Sequence, residues 1–484
     1  MPDENMDRRK FLQVAGMTGA AVLGGAALPR ASSVISQSNL TGRGRGRTSE
    51  DRSRAAGSLK GTLEMWTFSA SRSVWEMDMA KRFKALHPGV TINVTVYPYY
   101  TMHDKLAASI LAGSGAPQLS DVEVNEIGRF FTPPIGLVDE GPLIAAAGGK
   151  ALFYEQEAFL PATWRGTTYG IGSEVDPVIF YFRSDVLEKV GVKPPANYTT
   201  QTPAIDTWND FVTIGKEIKK ATGHYVMAVD WEIGTGQWHM ISLARGVGLF
   251  DSEGKPQLDA EVHVETLSFL HDLVHKYEIG ILSPGGNQST TPEYASLKSS
   301  QVVASLDAEW FGYYIQQAAP GQNGSWSIQR APRWPTGPNY TSEYGGTWMV
   351  IPKQNPPSSQ ELAWEFIKFM HFDVKNIIVE YEVGALYPSL KAASSGGANA
   401  ALFKKGNPYF GGASIGELTG VVASSLRAPY TSPIWTDLVL PTGVLPVSVL
   451  EPYMTDATAS PSDAAKLLGA AQKVAMEKYR ALKL

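Results

Sequence analysis

At 484 residues the chain exceeds what one hydrophobic core ordinarily serves, and two domains of about 200 residues each are the natural expectation. Its apolar share of 43% and charged share of 18% are those of a folded globular protein rather than a disordered one. The net charge of −5, more negative still without the Arg-rich N-terminus, runs against nucleic-acid binding, and the absence of cysteine excludes disulfides, thiolate metal sites, a cysteine nucleophile and a lipid-modified N-terminal cysteine.

The N-terminus carries Arg8-Arg9-Lys10-Phe11-Leu12 ahead of an apolar, Gly/Ala-rich run over 14–28. That run is short for a membrane span, and a basic region before it has the layout of an export signal. Arg8 and Arg9 with Phe11 and Leu12 resemble the twin-arginine signal, from whose pattern Asp7 and Gln13 depart. Residues 1–31 are expected to direct export, ending at the small Ala31 or staying on as an uncleaved anchor. Residues 32–58 are rich in Ser, Gly and Arg with almost nothing apolar to bury, and read as a flexible linker.

Folding is expected to begin with a strand over 61–66, ending at Trp66 and a small-residue loop through Ser69. Trp75, Met79, Phe83 and Leu86 recur at helical spacing before Pro88-Gly89, and Val90, Ile92, Val94 and Val96 then alternate as a strand. A second helix over 104–112 and a strand over 119–124 continue a β-α-β pattern, which predicts an α/β lobe with a largely parallel sheet. The run Val178 to Phe182, bounded by Pro177 and Arg183, reads as a buried strand at a crossing between lobes. Glu174 and Asp176 stand at its entrance, Gly170 and Gly172 read as flexible points, and Asp176 reads equally as a turn cap. Beyond it, Thr207-x-x-Asp210 reads as a capping box, helices are expected over 259–277 and from Ser358 to Met370, and Ser460-Pro461 opens a last helix ending near Leu482.

Carboxylates and indoles recur together where strands are expected to end: Trp66, Glu123, Glu174, Trp231, Trp238, Asp307, Glu309, Trp310 and Trp348. Sugars call for that combination, because their apolar faces pack on indole rings while their hydroxyls need strong acceptors. Paired carboxylates such as Glu123 and Glu174 are also what an exported glycoside hydrolase uses. His271 and His275 have the spacing of two zinc ligands on one helix face, with an aspartate where zinc peptidases need glutamate, so a solvated helix face is the plainer reading. No nucleophile-elbow or phosphate-loop motif occurs.

Taken together, these residues resemble the extracellular solute-binding proteins of carbohydrate ABC importers, most closely the lactose/arabinose-type branch. The resemblance is carried by Trp66 with its loop, 105–117 before Asp121-Val122, Tyr169-Gly170-Ile171, 180–191, Thr207-Trp208, Glu309-Trp310, 345–348 and Leu386-Tyr387-Pro388. It implies an α/β, two-lobed periplasmic-binding-protein fold of type II, with discontinuous lobes joined by a hinge and a ligand cleft between them. Lobe one is expected at 59–174 plus 311–358, and lobe two at 175–310 plus 359–484. The resemblance further implies a monomer that captures a sugar outside the cell membrane and delivers it to the transmembrane subunits of an ABC permease, with no catalysis, cofactor, metal or nucleic acid. By position, Glu174 matches an acceptor of sugar hydroxyls, and Trp310 and Trp348 match stacking or cleft-lining residues. Glu123, Asn125 and Trp231 fall in matching loops, and Trp435 resembles a further stacking tryptophan. Ser69, Trp238, Glu309, Gly346 and Tyr387 complete the expected ligand set together with Trp66. The chain departs from the pattern by an insertion over 196–205, by Gly172 where proline is usual, and by the missing lipid-anchoring cysteine.

Overall fold

The computed structural model describes residues 59–195, 198–199, 201–231, 236–284, 286–287, 290–394 and 399–482. The expected export signal, with Arg8 and Arg9, and the expected linker lie outside the described residues. No helix among the described residues is long and apolar enough to cross a membrane.

The first lobe follows the β-α-β pattern: β1 (Gly61–Thr67), α1 (Ala70–Leu86), β2 (Val90–Val96), α2 (Tyr99–Leu111), β3 (Leu119–Glu123) and the short α3 (Val124–Ile127). β1 lies parallel to both β2 and β3. β4 (Ile171–Gly172) closes the far edge of the sheet.

The second lobe begins at β5 (Val178–Arg183) and continues through α4 (Trp208–Thr222), β6 (Met227–Val229), α5 (Gly236–Ala244), α6 (Glu261–His275), β7 (Gly280–Leu282), β8 (Ala304–Ala308), α7 (Phe311–Ala318) and β9 (Trp326–Arg330). β5 is unbroken in its apolar sequence because both of its faces are covered. Val178, Phe180 and Phe182 join the core beneath α4 and α6, while Ile179 and Tyr181 join a separate core with Phe311 and Trp326. β8 and β9 flank it antiparallel, β6 pairs with β7 in parallel, and backbone bonds from Ala304 N to Val226 O (2.7 Å) and Val303 N to Tyr225 O (3.1 Å) join the two groups of strands. The capping box is present at α4, where the Thr207 hydroxyl accepts from the Asp210 amide and the Asp210 carboxylate accepts from the Thr207 amide.

The chain returns to the first lobe as β10 (Thr347–Val350), antiparallel to β3 and β4, giving the order β2-β1-β3-β10-β4. It stays there for α8 (Pro357–His371) and α9 (Val374–Gly384): Leu362, Phe366, Ile367, Ile377 and Val379 share one core with Leu63, Trp75 and Met79. This corrects the expected boundaries. Residues 326–330 belong to the second sheet, so the second crossing falls near 343–346 rather than after 310, and 359–384 belong to the first lobe. α8 is preceded by Pro356 and has no side-chain cap, so Ser358 lies inside it rather than at its start. Leu390, Ala393 and Phe403 still pack in the first-lobe core, and the chain reaches the second lobe with α10 (Ile415–Val422), α11 (Trp435–Val439) and α12 (Pro461–Ala481). α12 starts at the expected place, with the Asp463 carboxylate accepting from the Ser460 amide at 3.0 Å.

The crossings are tied to one another. Glu174 bridges Pro388 and Pro177 bridges Glu343, and the Tyr344 amide donates to Asp176 O at 3.0 Å. Gly170 and Gly172 have ordinary backbone angles, and what needs them to be glycines is close approach. A Cβ at Gly172 would lie 3.0 Å from the Trp348 indole nitrogen, and one at Gly170 3.1 Å from Trp348 Cβ.

Candidate functional site

Two strand ends form the first-lobe side. Trp66 closes β1 with 7% of its surface exposed, and Lys105 Nζ sits 4.3 Å from its ring centroid and 4.4 Å from that of Tyr97. Ser69 caps α1, its hydroxyl accepting from the Arg72 amide at 3.3 Å. Glu123 caps α3: its carboxylate accepts from the Asn125 amide (2.7 Å), the Asn125 side chain (3.2 Å) and the Tyr99 hydroxyl (2.6 Å). Burial nonetheless pushes the Glu123 carboxyl up to about 7, the three hydrogen bonds opposing that shift. His103 Nε2 accepts from the Glu123 amide at 3.2 Å while Nδ1 meets Tyr99 O at 2.8 Å, which fixes a neutral ring protonated on Nδ1. Burial holds that imidazole down at about 3.

The crossings form the floor. Arg72, in the first turn of α1, is 2% exposed. Its Nη1 donates to Glu174 Oε2 (2.8 Å), Glu380 Oε1 (2.7 Å) and Ser173 Oγ (2.7 Å), and its Nε to Asp121 Oδ2 (3.3 Å). Glu76 lies 3.6 Å from Nε. One guanidinium therefore faces four carboxylates. Burial raises the Glu174 carboxyl, with Arg72 opposing that shift, and takes Glu380 up to about 8. Beside this node, Asp176, Glu309 and Glu343 are buried without a side-chain donor, except that Asp176 and Glu309 face each other closely enough to share a proton, and the Glu309 and Trp310 amides also serve the Glu309 carboxylate. All three carboxyls are held well above the usual range, by burial first and then by neighbouring carboxylates. Asp176 is thus not the turn cap its place before proline suggests.

On the second-lobe side, Asp230 directly follows β6, accepts from the Gln237 amide at 3.0 Å, and is raised by burial to about 7. Half-buried Trp231 packs beside Gly286. Half-buried Trp310 donates from Nε1 to Tyr344 O at 3.2 Å, with Tyr314 edge-on at 6.0 Å. Tyr314 reaches across to Ser71 of α1. The Tyr344 hydroxyl is held well above its ordinary value by burial, then by Asp230, Asp307 and Glu123, which places it where the strand ends of both lobes approach.

Four expected contacts lie elsewhere. Trp238 is on α5, fully buried, with its indole N–H on His263 O at 2.9 Å, so it fills the second-lobe core rather than a glycine-rich loop. Trp348 is fully buried beneath Gly346 and Gly172, donating to Glu157 O and Ala158 O, and presents no free ring face. Tyr387 is buried among Tyr154, Tyr381 and Phe403. Trp435 is buried too, but it joins the lobes: its Nε1 donates to Asn125 Oδ1 at 3.2 Å, and Gly128 leaves room for Ser432 O, which a Cβ there would approach to 2.2 Å. Gly346 itself sits at the crossing with φ +96 and accepts from the Val124 amide. The structure thus brings Glu174, Glu309, Trp310 and Gly346 to the crossings, and Trp66, Ser69, Glu123 and Asn125 to the adjoining first-lobe strand ends.

Sequence reasoning missed Arg72. Its signal is a charge on the apolar stripe of α1, in register with Trp75, Met79 and Phe83. His271 and His275 bond the carbonyls of Asp456 and Met454 through Nε2 and so anchor the segment before α12. The insertion over 196–205 contributes Tyr198, Thr199 and Gln201 to a second-lobe cavity of about 180 Å³ that also involves Trp208, Arg245 and Trp334 and none of the expected ligand contacts.

Residues 69–371 match the family described as bacterial extracellular solute-binding proteins. The arabinooligosaccharide-binding protein of Bacillus subtilis is 30% identical over 310 residues, covering 63% of this chain and 68% of that one. The lactose-binding protein of Rhizobium radiobacter is 24% identical, covering 73% and 80%. Among solved structures, the sugar-binding protein MalE of Xanthomonas citri superposes with a TM-score of 0.70 at 15% identity, over 87% of this chain and 99% of that one. The GacH receptor of Streptomyces glaucescens gives 0.68 at 17% identity, over 87% and 100%. These likenesses match the two-lobed architecture described above, and by the extent of its match the chain belongs to the bacterial extracellular solute-binding protein family.

Proposed function

We propose that the protein binds a sugar or short oligosaccharide between its lobes, outside the cell membrane, and presents the closed form to the transmembrane subunits of an ABC importer. The observation that carries this reading is the pairing at the crossings of buried acceptors, Glu174 and Glu309, with the half-buried ring of Trp310. That pairing offers charged acceptors to hydroxyls and an aromatic face to the sugar ring. The curated relatives named for arabinooligosaccharide and lactose binding support the same class of ligand. Closure is a population shift, so the ligand must touch both lobes to favour it. Glu123 and Asn125 on one side, with Trp231 and Trp310 on the other, are the residues assigned to that task.

A hydrolytic reading has less to stand on. Glu123 is engaged by Tyr99 and Asn125 and Glu174 by Arg72, and the matched family and relatives are binding proteins. Thermal-shift screening followed by calorimetry with arabino-oligosaccharides and lactose tests the proposal, since a ligand of the folded state raises the melting temperature. Recovery of shortened sugars after incubation would instead establish hydrolysis. Glu174→Ala is expected to weaken sugar binding by about 2 to 4 kcal/mol, because hydroxyls in a desolvated cleft lose their acceptor; unchanged affinity by calorimetry removes Glu174 from the site. Trp310→Ala is expected to lower affinity roughly tenfold to a hundredfold through lost stacking, checked in the same titration.

A further inference from the structure

The acceptors on the cleft floor outnumber what the protein supplies to them. Asp176, Glu309 and Glu343 are at most 2% exposed, and their carboxyl oxygens have no side-chain donor beyond the proton that Asp176 and Glu309 share, backbone amides at Glu309 and Trp310 serving Glu309 alone. The charged and titratable groups around them are Glu174, Glu157 and Asp307, the hydroxyls of Tyr181 and Tyr381, and, through Glu174, the guanidinium of Arg72. Arg72 is the one cation in that set, and Glu174, Asp121, Glu380 and Glu76 already occupy it. A second feature is independent of the acids: Arg72 Nη2 is buried with no partner, a donor left over for an oxygen. No three acids among the described residues converge as a metal ion requires, whereas an ammonium reaches its acceptors through hydrogen bonds longer than metal–oxygen bonds and makes a looser demand on their spacing. Gly345 has φ +123, and a Cβ on it would stand 3.5 Å from Asp176 Cγ and 3.0 Å from Trp310 Nε1, so its backbone lies directly against Asp176 beside the Trp310 ring.

Building on the sugar-binding reading, we propose that the ligand is an amine-bearing sugar, its ammonium seated among Asp176, Glu309 and Glu343, its ring on Trp310, and a hydroxyl oxygen on Arg72 Nη2. A neutral sugar leaves the carboxyls to be neutralised by protons. An ammonium takes over that role, and the proton shared by Asp176 and Glu309 leaves to solvent while the amine keeps its own.

Isothermal titration near pH 6, in two buffers of different ionisation enthalpy, compares glucosamine, galactosamine and the β-1,4-linked glucosamine dimer and trimer with their N-acetylated and plain hydroxyl counterparts. At least one amine form is expected to bind about tenfold tighter than its hydroxyl counterpart and to release about one proton. In the Asp176→Asn/Glu309→Gln protein that preference is expected to fall within about twofold. Hydroxyl sugars binding as tightly as the amines, no amine form binding at about 10 mM, or a preference that survives the double substitution each overturn the proposal. The sugar-binding reading itself fails only when the neutral arabino-oligosaccharides and lactose fail as well, so the two failures are distinguishable.

Discussion

Replacing Arg72 with methionine is expected to destabilise the folded protein by about 3 to 5 kcal/mol, the cost of leaving buried carboxylates without their cation. Methionine fills a similar volume, so the loss isolates charge and hydrogen bonding from packing. The residues concerned span the first lobe and its exit: Arg72 and Glu76 on α1, Asp121 on β3, Glu380 on α9 and Glu174 at the crossing. Arg72 opposes the upward shift that burial imposes on Glu380, Glu174 and Glu76. Without it those carboxyls are forced further toward the neutral form, so the deficit is expected to be largest near pH 8 and to shrink near pH 5, where they are protonated anyway. Arg72→Lys is expected to recover only part of the loss, because one ammonium cannot reproduce a planar fork that serves Nε and Nη1 partners at once. Urea unfolding at the two pH values measures all of this. A deficit below about 1 kcal/mol, or one that grows on acidification, contradicts the assigned role.

How much of this was legible in the sequence depends on whether a feature is local. β5 was readable because burial on both faces leaves a continuous apolar run, and α4 because its capping box satisfies its own backbone within four residues. Tryptophan placement was not local. Trp238 and Trp348 sit in polar or glycine-rich sequence, yet one turns inward on α5 and the other slides under Gly172 and Gly346, contacts made by elements far apart in the chain. The lobe boundaries failed for a similar reason. The apolar faces of α8 and α9 announce that they are buried but not against which sheet, and only the core shared with Trp75 and Met79 decides it. The Arg72 node was visible as a charge out of place on α1, but three of its four carboxylate partners, Asp121, Glu174 and Glu380, come from three other segments of the chain.

Stability is expected to fall by on the order of 4 kcal/mol between about pH 6.5 and pH 8.5. Glu123, Glu157 and Asp230 are raised by burial to about 7, and Glu380 to about 8. A carboxyl raised in the folded state binds a proton there that the unfolded chain has already lost. Its stabilisation is therefore complete below the unfolded value and disappears as pH rises through the folded one. Four buried histidines act in the opposite sense. His103, His239 and His371 are lowered to about 3 and His263 to about 4, in each case by burial first. Each costs stability as the unfolded ring gains a proton below about pH 6.5, so the histidines offset part of the carboxyl slope between about pH 4.5 and 6.5. Above that range the histidines are neutral in both states and the carboxyls alone set the slope. Glu380→Gln removes the carboxyl with the highest of these values while keeping an acceptor for Arg72 and Ser173. It is expected to remove about 2 kcal/mol of the alkaline loss. Melting temperatures and urea midpoints at pH 5.5, 6.5 and 8.5 decide the matter: a protein as stable at 8.5 as at 6.5 holds its buried carboxyls charged, and the crossings would then have to contain a counter-charge other than Arg72.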